Sequence, residues 1–66
     1  MTNNLKVERA IHNMTQSDLA EAIGVSRQSI HAMEKGKYIP STVLALKLAK
    51  LFKKPVEELF QLDSND

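Results

Sequence analysis

Gln16-Ser17-Asp18-Leu19-Ala20-Glu21-Ala22-Ile23-Gly24-Val25-Ser26-Arg27-Gln28-Ser29-Ile30-His31-Ala32-Met33-Glu34 is the stretch on which the fold turns. Its two halves each have helical periodicity, and Gly24-Val25-Ser26 separates them. In the first half Leu19, Ala20 and Ile23 share a face at 100° per residue, while Ser17, Asp18 and Glu21 lie outside. Thr15 stands before this helix as a hydroxyl cap, with Asp18 three residues on as a short-armed capping-box partner. Gly24 takes the left-handed conformation that closes a helix, Val25 is an apolar anchor for the corner, and Ser26 caps the next helix. A tight glycine turn between two short helices sets them at a steep angle, so that the second protrudes while the first braces it.

Working outward, the spacing predicts a helix from about Asn4 to His12. A loop after Gly36 leads to Ser41, which caps a helix reaching Phe52, and Pro55 suits the first turn of a short helix ending near Phe60. Period-two alternation is absent, so no strand is expected, and the fold class is an all-α, five-helix domain. Leu44, Ala45, Leu48, Ala49, Leu51 and Phe52 cover most of the fourth helix and make it the hub of the core. Val56, Leu59 and Phe60 form the stripe that closes the bundle, and Met14 and Met33 read as core fillers. The first helix is ambiguous: Leu5, Glu8, Arg9 and His12 lie on one side, Val7, Ala10 and Ile11 on the other. One domain over residues 1–62 is expected, with 63–66 as a frayed tail.

Composition excludes several classes. The chain has no cysteine, so neither disulfides nor thiolate metal sites arise, and His12 and His31 lack further ligands at metal spacing. No apolar run approaches a membrane span and no signal-peptide pattern opens the chain, so a cytoplasmic location is expected. There is no phosphate-cradling glycine loop and no nucleophile with a base at motif spacing, so no enzyme activity, cofactor or small-molecule ligand is expected. The net charge of +1 hides an asymmetry. Residues 1–54 carry nine basic and four acidic side chains, while 55–66 carry four acidic and none basic. A basic body with an acidic tail is compatible with one surface meeting an anion, and equally with ordinary surface charge.

On the second helix of the central pair, Ile30 and Met33 group with Ser29, and Arg27, Gln28, His31 and Lys35 group opposite. That outward face has no acid. Arginine pairs bidentately with guanine and glutamine with adenine, and the N-terminus of such a helix points deepest into a major groove. The same face is also what the solvated side of any amphipathic helix looks like, and the face alone does not choose between the two.

Met14-Thr15-Gln16-Ser17-Asp18-Leu19-Ala20, Ile23-Gly24-Val25-Ser26-Arg27-Gln28-Ser29-Ile30, Met33-Glu34-Lys35-Gly36-Lys37 and Pro40-Ser41 together resemble the helix-turn-helix of the phage repressor/Cro (Xre) family of transcriptional regulators. The resemblance runs from about Asn4 to Phe60 and is strongest to compact members. It implies a repressor-like DNA-binding domain with its helix-turn-helix at the second and third helices. By the same resemblance Arg27 and Gln28 read bases, and His31 and Ala32 take the outward positions one turn on. Gln16 holds a phosphate and buttresses the recognition helix, while Lys35, Lys37, Tyr38 and Ser41 grip the backbone. The capped helix starts at Ser26 and Ser41 suit phosphates because free amides and the helix dipole point at the anion. Arg9 and Glu34 map to a structural ion pair. Three positions depart from the pattern: Glu8 stands where an apolar residue is frequent and Lys35 where asparagine is. Ala32 can touch only a thymine methyl.

The resemblance further implies a sequence-specific regulator, a repressor, bound to double-stranded DNA as a homodimer on a two-fold-symmetric operator. Leu46, Leu59, Phe60 and Leu62 are the expected subunit contacts. The alternative is an antitoxin or other partner-binding module on the same DNA-binding fold.

Overall fold

The computed structural model describes all 66 residues. In chain order it comprises β1 (Thr2–Asn3), α1 (Leu5–Ile11), α2 (Gln16–Ile23), α3 (Arg27–Glu34), α4 (Thr42–Phe52), α5 (Val56–Leu59) and β2 (Phe60–Gln61). The local chemistry of the sequence sets the helix starts. Thr15 Oγ1 accepts from Asp18 N–H at 3.0 Å and the Asp18 carboxylate accepts from Thr15 N–H at 2.9 Å, a closed capping box. Ser26 and Ser41 accept from Ser29 N–H and Leu44 N–H at 3.1 and 3.2 Å, capping α3 and α4. Pro55 sits one residue earlier than expected, as the N-cap of α5 and not within its first turn.

The ends of α1 to α4 share one device, a residue with positive φ that lets a nearby amide reach back. Gly36 has φ +75°, and beside it Gly36 N–H bonds Met33 O at 3.0 Å and Lys37 N–H bonds Ala32 O at 2.9 Å, a Schellman motif. Gly24, with φ +76°, does the same for α2, and Val25 N–H reaches Ala20 O. At the end of α4 the position falls to Lys53, whose φ of +57° carries a steric penalty of about 1–2 kcal/mol that glycine escapes.

The core is a cluster of ten residues. α1 supplies Leu5, α2 supplies Leu19, Ala20 and Ile23, and α3 supplies Ile30 and Met33; Leu48, Phe52, Leu59 and Phe60 complete it. Leu44, Ala45, Ala49 and Leu51 of α4 are half-buried against that cluster, so α4 is the hub its apolar circumference predicts. Leu59 and Phe60, expected at a subunit contact, are 0% and 8% exposed. They close this chain's own bundle, as the Val56, Leu59 and Phe60 stripe predicts, and of the expected subunit contacts Leu46 and Leu62 stand out in solvent.

Two further expectations are revised. No strand was expected, yet β1 and β2 pair antiparallel with Thr2 opposite Gln61 and Asn3 opposite Phe60. Two residues per strand cannot show an alternation, so the pair left no periodic trace. The ends of the chain are thereby joined: Asn4 N–H donates to Leu59 O at 2.9 Å and Asn3 Nδ2 to Met33 O at 2.7 Å. Residues 63–66 form a turn in which Asp63 and Asp66 both meet the Met1 ammonium at 2.9 Å, where a free end was expected.

In α1 the polar-looking side goes inward. Leu5 and Glu8 are buried, whereas Val7 and Ile11 are 58% and 61% exposed. Glu8 is held there by the Lys54 ammonium at 2.5 Å, and its other oxygen, Oε1, has no partner. His12 follows on the same side, with its Nδ1 2.9 Å from Glu8 O and its ring 5.2 Å from that of Phe52.

Candidate nucleic-acid interface

α2 and α3 pack closely on each other, and their mutual orientation is held by a hydrogen-bonded cluster at one end of their contact. Its foundation is the pair between Arg9 and Glu34. The guanidinium grips the carboxylate with two nitrogens, Nε to Oε2 at 2.5 Å and Nη2 to Oε1 at 3.1 Å, while Nη1 donates to Met14 O at 2.9 Å. The side chains are 14% and 6% exposed, so this is a fork-to-fork pair at the edge of the core that binds α1 to α3. Burial opposes ionisation of Glu34 and is the largest single influence on it. The hydrogen bonds from Arg9 and Gln16, aided by the Arg9 and Lys6 charges, outweigh that burial and hold the carboxyl below its usual range.

Gln16, the first residue of α2, is built on this pair. Its Nε2 donates to Glu34 Oε1 at 3.1 Å and lies 3.4 Å from His31 Nδ1. Its Oε1 accepts from Arg27 Nη1 at 3.4 Å. One side chain thus touches the start, middle and end of α3. Because Gln16 also stands in the first turn of α2, its backbone amide has no partner within the helix and is free for an external acceptor.

Arg27, Gln28, His31 and Lys35 are all exposed along α3, opposite buried Ile30 and Met33. Neither Arg27, Lys35 nor Lys37 takes part in any of the four ion pairs, so their charges are unspent within the fold. Tyr38 is 40% exposed on the loop leading to α4, and Ser26 and Ser41 are exposed caps whose oxygens already accept one amide each. Ala32 is half-buried, less open than the other three positions expected to face a base.

One residue of this surface escaped sequence reasoning. Lys6 joins Arg9, Gln16, His31, Glu34 and Lys35 around a polar cleft of about 260 Å³ that has no hydrophobic lining. The signal was there: Lys6 lies three residues before Arg9, on the same face of α1. With Lys6, Arg9 and Lys35 against Glu34 alone, the cleft carries two surplus positive charges beside the exposed face of α3.

Two capped helices in a glycine turn, a buttressed second helix and an unpaired basic face define a helix-turn-helix regulator. Residues 5–59 match the helix-turn-helix family. An uncharacterized HTH-type transcriptional regulator of Methanocaldococcus jannaschii is 53% identical over 66 residues, covering all of both chains. Another from Archaeoglobus fulgidus is 44% identical over the whole of this chain and 93% of its own. YgzD of Bacillus subtilis, also an uncharacterized HTH-type transcriptional regulator, is 42% identical over all of both chains. The chain belongs to this Cro/C1-type (Xre) family and is a DNA-binding transcriptional regulator, not an enzyme. No helix is long and apolar enough to cross a membrane.

Proposed function

We propose that this regulator is a repressor that binds a two-fold-symmetric operator as a homodimer, with α3 in the major groove. The observation that carries the reading is the joint exposure of Arg27, Gln28 and His31 on a helix braced by Gln16. Arg27 and Gln28, in the first turn of α3, take the deepest positions and offer bidentate partners for guanine and adenine. His31 lies one turn on, and Ala32 can add only a methyl contact. Gln16, Lys35, Lys37, Tyr38 and the capped starts at Ser26 and Ser41 hold the phosphates on either side.

Arg27→Ala is expected to weaken binding at the preferred site by about 1–3 kcal/mol and to relax specificity at the base it reads. Lys37→Ala, by contrast, weakens all sequences alike and lowers the salt slope by about one. Fluorescence anisotropy at several salt concentrations separates the two. An Arg27→Ala variant with unchanged affinity and selectivity removes α3 as the reading element.

The dimer rests on an exposed apolar surface. Ile39, Val43, Leu46 and Leu62 are 64%, 62%, 57% and 79% exposed. Ile39 and Leu46 flank a groove of about 240 Å³ floored in part by Ala45, Val56 and Phe60. A patch of this kind on so small a chain is what a subunit contact supplies. One α3 contacts only a few base pairs, so a second copy, about 34 Å away on the duplex, completes a useful site. Leu46→Glu is expected to sediment as a monomer with unchanged helix content and to bind operator more weakly by about tenfold or more. A Leu46→Glu protein that stays dimeric at micromolar concentration places the contact elsewhere.

A further inference from the structure

The hydrogen bonds around Gln16 also determine what His31 can read. An ionised carboxylate only accepts, so the group of Gln16 that faces Glu34 Oε1 at 3.1 Å is its NH₂ and not its carbonyl. The amide orientation is thereby settled from inside the fold, and the carbonyl is left for the Arg27 guanidinium, itself only a donor. The same NH₂ has a second hydrogen and stands 3.4 Å from His31 Nδ1. A ring nitrogen facing an N–H must be the acceptor, which puts the proton of the neutral imidazole on Nε2.

We propose that Gln16 holds His31 as an Nε2–H donor, so that His31 selects a hydrogen-bond acceptor on a base edge and rejects cytosine. This rests on α3 being the reading helix, as proposed above. In the major groove guanine offers N7 and O6, adenine N7 and thymine O4, whereas cytosine presents only its N4 amino donor. A free imidazole can move its proton and accept from cytosine as readily as it donates elsewhere. One whose Nδ1 is already occupied by an N–H cannot do so without losing that bond. Gln16 is thus a positioning residue for specificity, acting through His31, besides bracing α3.

Two measurements test this. In ¹⁵N-detected spectra of the free protein, in buffer alkaline enough to keep the imidazole neutral, His31 is expected with Nε2 protonated and Nδ1 bare. Gln16→Met, which keeps the chain length but removes the N–H, is expected to shift the Nδ1 resonance and mix the tautomers. A proton on Nδ1, or a His31 spectrum indifferent to Gln16→Met, overturns the proposal. In selections from random duplex DNA, the position relaxed by His31→Ala is expected to be depleted of cytosine on the order of tenfold. Gln16→Met is expected to weaken that depletion while His31 is intact. Cytosine at its background frequency there, beside a preserved Arg27 preference, overturns the role of His31 alone. Failure of any motif to emerge overturns the reading helix itself, whatever the tautomer.

Discussion

Leu48→Ala is expected to leave the chain largely unfolded at 25 °C. Leu48 is fully buried at the centre of α4, the helix that packs on both α2 and α5. Deleting its three outer carbons removes their transfer energy and opens a cavity that rigid neighbours fill only in part, together about 2–5 kcal/mol. A chain of this size holds only about 3–5 kcal/mol of its own, so the loss is comparable to the whole. The proposed subunit association would add stability that depends on concentration, so wild type and variant are to be compared at one protomer concentration. Urea titration followed by circular dichroism reads the result: a sigmoid for wild type, and for Leu48→Ala either no folded baseline or a midpoint near zero denaturant. An unchanged midpoint contradicts the central place of α4.

Glu34→Ala is the second large effect. It strips the carboxylate from a pair that is 6% and 14% exposed and leaves the Arg9 guanidinium at the core edge with only Met14 O. Removing one partner of a pair so placed costs about 3 kcal/mol, much of it for the charge left unpaired. The double variant Arg9→Met, Glu34→Met, which leaves no uncompensated charge, is expected to recover a good part of that. DNA binding should suffer beyond the loss of stability, because Gln16 loses the acceptor that orients it toward α3.

The same pair sets an acid limb. The Glu34 pKa is lowered by folding from its ordinary 4.5, despite the opposing effect of burial, so its contribution is complete above that value. It is lost as pH falls through the lower folded value. Urea midpoints measured between about pH 6 and pH 3 should therefore fall more steeply for wild type than for the double variant. Asp18 shifts in the same direction through its bonds with Thr15, but it is exposed and serves as a common background in both proteins. Equal slopes would mean that the Arg9–Glu34 pair contributes nothing to folding.

Most of the fold was legible because its punctuation is local. Thr15, Ser26 and Ser41 cap through their own side chains, and Gly24 and Gly36 close helices through a backbone conformation that few other residues adopt cheaply. What was not legible depends on partners distant in sequence. The burial of Glu8 in preference to Val7 and Ile11 requires Lys54, which lies 46 residues away and is delivered by a turn through Lys53. The pairing of β1 with β2 joins opposite ends of the chain, whereas the burial of Leu59 and Phe60 beside it was legible as the apolar stripe they form with Val56. At the interface, Arg27, Gln28 and His31 were legible as one face of one helix. The network that joins Gln16 to three positions of α3 and, through Glu34, to Arg9 of α1 arises from packing, while Lys6 was legible from its spacing to Arg9 and was missed.

The central claim is that Arg27, Gln28 and His31 of α3, presented twice, read DNA. Selection of bound sequences from a random duplex pool tests it most directly. The expected outcome is a two-fold-symmetric motif whose half-sites lie about one helical turn apart, with a base preference in each half that disappears in Arg27→Ala. Recovery of unrelated sequences at low salt, with the same composition for wild type and Arg27→Ala, would contradict it.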